Sequence, residues 1–162
     1  MKKISSVMIC TLLALPLFAQ TQETTDTCQE AQETLAVGKI QLKVGGEGTT
    51  ISDSIENSPD CSVRKMFVAN IAGHYACYAK AYGRDAEKTG VTTLDLRYRE
   101  PDKVPGPAIP YEVKISSQGL ASPEFMSCVK KHWFEKASVT IKDKTSGAIH
   151  INIEAHPRQT KK

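Results

Sequence analysis

The chain has 162 residues, with 21 Lys or Arg against 18 Asp or Glu, a formal charge of +3 and only 6% aromatic residues. Charge this balanced, with no basic stripe and few rings to stack bases, excludes nucleic acid as the expected partner. The length suits one domain with a real core.

Residues 1–19 have the order of a secretory signal. Met1, Lys2 and Lys3 form a positive start, an apolar run follows to Phe18 with Pro16 inside it, and Ala19 is a small residue for cleavage. The run is shorter than the roughly 18 to 20 residues of a membrane span, so removal is expected, with Cys10 leaving too and the mature chain starting at Gln20. With Lys2 and Lys3 gone, 19 basic and 18 acidic side chains remain. No later stretch is apolar for long enough to span a bilayer, so stable membrane insertion is not expected.

Cys28, Cys61, Cys77 and Cys128 then remain. An even number in an exported chain is the arithmetic of two disulfides, and none of these pairs has the close spacing of zinc ligands. Three connectivities are open, and spacing does not choose between them. An oxidising compartment, the periplasm or the exterior, is the expected location.

Residues 20–37 read as a flexible lead-in, rich in Thr, Gln and Glu around Cys28. Over 38–62 the alternation of Ile40, Leu42 and Val44 with polar residues, and the turn residues 45–48 before Thr49-Thr50-Ile51, predict an N-terminal hairpin. From Ser62 to Tyr82 the period becomes helical: Phe67, Ile71, Tyr75, Tyr78 and Tyr82 make one apolar stripe with Cys77 on its flank. Asp60 or Ser62 is the expected N-cap, and Gly83 the stop.

Leu94, Leu96 and Tyr98 then alternate with polar residues as one strand. Ile109, Tyr111, Val113 and Ile115 do so as a second, each with one buried face. Residues 100–108 between them look too proline-rich to pair in a sheet and should project from the end of a hairpin. Ser122-Pro123-Glu124 is a strong helix start, and the helix carries Phe125, Val129 and Trp133 on one face beside Cys128. A C-terminal hairpin is predicted from Ala137, Val139 and Ile141 through a turn at 143–147 to Ile149, Ile151 and Ile153, with 156–162 as a solvated tail.

Helix, two strands, helix and hairpin predict an α+β fold, a small antiparallel sheet with both helices packed on one face and the N-terminal hairpin added. Ala76-Cys77-Tyr78, the strand at 90–96, and Ser122-Pro123-Glu124-Phe125-Met126-Ser127-Cys128-Val129 with Trp133-Phe134 resemble the AgmX/PglI C-terminal domain, a disulfide-bearing relative of the TonB C-terminal domain. The resemblance covers about residues 63–155. It departs where a short glycine-containing turn of the family is replaced by the proline-rich loop, and where a Trp-x-Phe-Pro ending is replaced by His132-Trp133-Phe134-Glu135.

The resemblance implies a pairing of Cys77 with Cys128, which leaves Cys28 for Cys61. It also implies binding to a protein or peptide of a cell-envelope complex; because the family's usual membrane anchor and long proline-rich linker are not seen before the domain, a free periplasmic module is expected in place of a force-transmitting one. In the TonB-like fold the last strand lies at or near a sheet edge, so Ile149, Ile151 and Ile153 become candidate partner-binding residues for strand addition. Pro105, Gly106 and Pro107 are a second candidate surface, because prolines lose little entropy on docking.

No catalytic site, resident cofactor or metal is expected. Neither helix carries H-E-x-x-H, no serine lies in G-x-S-x-G, and 45–48 lacks the helix and Lys-Ser/Thr of a phosphate loop. The alternative is a secreted metal- or ligand-binding protein or small hydrolase. It would use His150, Asn152 and Glu154 on the wet face of the last strand, or His74 with His132 across two antiparallel helices.

Overall fold

A computed structural model of the chain describes residues 33–45, 48–52, 55, 61–84 and 86–159. Among them the elements follow in the order β1 (Glu33–Val37), β2 (Ile40–Val44), β3 (Thr50–Ile51), α1 (Ser62–Tyr82), β4 (Gly90–Tyr98), β5 (Gly106–Ala108), β6 (Pro110–Gln118), α2 (Pro123–Lys136), β7 (Val139–Ile141) and β8 (Gly147–Pro157). The main sheet runs β1-β2-β8-β4-β6, with β3 also paired to β8, and every pair is antiparallel. A second, two-stranded sheet joins β5 to β7.

Alternation builds the layers. Ile40, Leu42 and Val44 of β2, Leu94, Leu96 and Tyr98 of β4, Val113 of β6 and Ile149, Ile151 and Ile153 of β8 are buried on one face. Phe67, Ile71 and Tyr78 of α1 and Phe125, Val129 and Trp133 of α2 join them in one core. Lys43, Arg97 and Lys114 on the opposite face are exposed. One covered and one wet face are what alternating strands require, and the α+β class follows with both helices on the covered side.

The helix ends follow local chemistry. Ser122 Oγ accepts the Phe125 N–H at 3.1 Å, and Pro123 begins α2. Gly83, at φ 95°, ends α1 and donates its N–H to the Ala79 carbonyl. The start of α1 differs from expectation. Cys61 occupies the cap in the left-handed region with no side-chain cap bond, while Ser62 Oγ accepts the Thr140 N–H of β7 instead. Asp60 lies outside the described residues.

Three pairings differ from the sequence reading. First, β2 does not form a hairpin with residues 49–51. Gly38 and Lys39 make a two-residue turn, with Gly38 at φ 58°, that pairs β2 with β1, so 33–37 is a strand and not lead-in. Second, β7 pairs with β5, and β8 inserts between β2 and β4; residues 142–146 carry the chain from the small sheet to the large one. The strand β8 also runs through His156 and Pro157, where a tail was expected. Third, the proline-rich loop does pair: Pro107 stands opposite Thr140 in β5, an edge position where its missing N–H costs little.

Candidate functional site

The two helices are joined covalently, with Cys77 Sγ and Cys128 Sγ bonded and the Cα atoms 5.6 Å apart. Cys61 is disulfide-bonded as well. Cys28 lies outside the described residues, and with it the expected second pairing. Behind the bridge, Gly73 lets the helices approach: a β-carbon there would stand 2.1 Å from the His132 ring. His132 Nε2 lies 3.1 Å from the Asn70 carbonyl oxygen, and Trp133 Nε1–H donates to His74 Nδ1 at 3.3 Å. Burial, together with nearby His132, pulls the His74 pKa down to about 3, and burial lowers that of His132 too. The two histidines therefore do approach each other, but as neutral parts of the helix seam.

The row on the wet face of β8 is already engaged, by β4 and by its own neighbour His156. His150 Nδ1 lies 2.5 Å from Asp95 Oδ1, Thr93 Oγ1 donates to Asn152 Oδ1 at 2.9 Å, and Glu154 Oε2 lies 2.7 Å from His156 Nε2. Among the described residues no three His, Cys, Asp or Glu side chains come together as a metal site.

The expected docking strand is corrected. Because β8 pairs with β2 and β3 on one side and β4 on the other, its backbone groups are taken. Ile149, Ile151 and Ile153 are buried beneath the helices. They are core residues and offer nothing to a partner.

Among the described residues the sheet ends at β1 on one side and at β6 on the other, and the exposed apolar side chains gather at β6. Among the described residues β6 pairs with β4 alone, which leaves its outer row of N–H and C=O groups open. The register there is broken: Arg97 faces Glu112, yet Tyr98 faces Pro110, so Tyr111 is an extra residue in a β-bulge. A bulge re-aims side chains. Pro110 is buried in place of its neighbours, and Ile109 and Tyr111, expected on the buried face, are 66% and 45% exposed.

Phe134, on the outer side of α2, is 46% exposed and lies by the same spot. These side chains line an open pocket of about 460 Å³ with Pro101, Pro107 and Arg99. Arg99 stacks over the Tyr111 ring at 5.0 Å from its centroid. Gly106 shapes the loop behind, since a β-carbon there would meet the Lys103 carbonyl oxygen at 1.9 Å. Of the candidate loop residues, Pro107 lines the pocket, Pro105 is exposed and Gly106 is buried.

The sequence does carry a signal for this site. Pro110 inside an otherwise regular strand marks an edge or a bulge, and here it marks both. No helix among the described residues is long and apolar enough to cross a membrane. Compared with protein-family models, curated proteins and solved structures, the chain finds no match.

Proposed function

We propose that this chain is a non-enzymatic, exported module of the AgmX/PglI C-terminal type, working in the periplasm. It docks an extended segment of a cell-envelope protein along the outer edge of β6. The added strand satisfies the open backbone groups, while apolar side chains of the segment enter the pocket at Ile109, Tyr111 and Phe134. Main-chain bonds supply affinity, and the pocket supplies selectivity.

The observation that carries this reading is the bulge at Tyr111. It turns two large apolar side chains outward at the one end of β6 where α2 presents a third. Large exposed apolar groups gathered at an open strand edge mark an interaction surface. The Cys77–Cys128 bridge supports an extracytoplasmic setting, because such bonds persist in oxidising compartments.

Photo-crosslinking in cells from positions 109, 111 and 134, with position 43 on β2 as control, tests the proposal. The three pocket positions should capture the same envelope protein and the control should not. Equal capture from position 43, or none from the pocket, would overturn it.

A further inference from the structure

We infer that the outer edge of β6 also pairs two copies of this chain, in one register, so that the docking edge is covered when no partner is bound. This rests on the reading of β6 as an open docking edge. The charges along the strand support it separately.

On the wet face, β6 carries Glu112 and then Lys114, which touch each other at 3.4 Å, with Glu112 also 3.4 Å from Arg97 Nε. A twofold axis perpendicular to the sheet pairs β6 antiparallel with its own copy and keeps both sets of helices on the same side. Residues of equal parity must then face each other, because side chains alternate between faces.

Centring the axis on Val113, in the regular stretch beyond the bulge, sets Glu112 against Lys114 of the copy, twice by symmetry. Centring it one residue earlier opposes Glu112 with Glu112, and one residue later Lys114 with Lys114. Cross-strand opposite charges stabilise and like charges destabilise. The strand is therefore complementary to itself in one register and repelled in the two adjacent ones. An uncovered edge flanked by exposed apolar residues is an aggregation hazard, and self-pairing removes it. A partner's strand must displace the second copy, so self-association and partner binding compete.

Sedimentation velocity on the mature protein, from low to high micromolar concentration, tests the inference. The native chain should be in monomer–dimer exchange. Glu112→Lys and Lys114→Glu should each weaken self-association about tenfold, since each converts two attractive pairs into two repulsive ones.

Mixing the two variants should restore the dimer, because one edge then carries two lysines and the other two glutamates. The double variant Glu112→Lys with Lys114→Glu should dimerise by itself and checks that charge reversal leaves the fold intact. A native chain that stays monomeric throughout overturns the inference, as does a mixture no more associated than its components while the double variant dimerises. A monomer that still crosslinks an envelope protein from position 111 refutes self-pairing and leaves the docking reading in place. A dimer that no envelope strand opens does the reverse.

Discussion

Trp133 donates its indole N–H to Nδ1 of His74 at 3.3 Å in the interior of the helix pair, which places the proton of the neutral imidazole on Nε2. Burial holds the His74 pKa at about 3, against 6.5 for an exposed histidine. Below pH 6.5 the unfolded chain therefore binds a proton that the folded chain refuses. The stabilisation is fully present above pH 6.5 and falls by about 1.4 kcal/mol per pH unit on acidification, levelling off near pH 3. Urea unfolding at several pH values should show this slope, and His74→Gln should remove about one proton's worth of it.

The bridge between Cys77 and Cys128 closes a loop of 51 residues. Replacing both cysteines by alanine should lower stability by roughly 4 kcal/mol, from the unfolded-chain entropy the bond removes. Denaturant titration of the variant measures the loss.

Gly73 and His132 are matched across the seam. Alanine at 73 raises helix propensity by about 1 kcal/mol, yet its β-carbon meets the imidazole, so Gly73→Ala should cost about 1 to 2 kcal/mol net. In a His132→Ala background the same change should become neutral or stabilising. A double-mutant cycle by thermal unfolding resolves the coupling.

The pocket and the core respond differently to truncation. Ile151→Ala removes a fully buried side chain and should cost about 2 to 5 kcal/mol. Ile109→Ser removes an exposed one, should change stability by about 0.5 kcal/mol or less, and should abolish crosslinking to the envelope partner. Unfolding curves and crosslink yields on the same two variants separate the roles.

Local signals in the sequence were strong wherever one residue decides the outcome. Ser122-Pro123 starts α2, Gly83 ends α1, and the spacing of Phe67, Ile71 and Tyr78 defines the buried face. Pairing was less legible, because alternation says which face of a strand is buried and nothing about its neighbour. The isoleucines of β8 look the same beside β7 as beside β2 and β4. Gly38-Lys39 does encode the β1–β2 turn, but 45–48 offered a competing one. At the candidate site the period of two across Ile109, Tyr111 and Val113 concealed the bulge, which only Pro110 announces.

Docking as proposed means that an envelope partner adds a strand to the outer edge of β6. Amide hydrogen exchange of the mature protein, alone and with the crosslink-identified partner, tests it most directly. Added protection should be concentrated in residues 109–117, with β1 unchanged. Protection gained along 33–37 with none along β6 would contradict it.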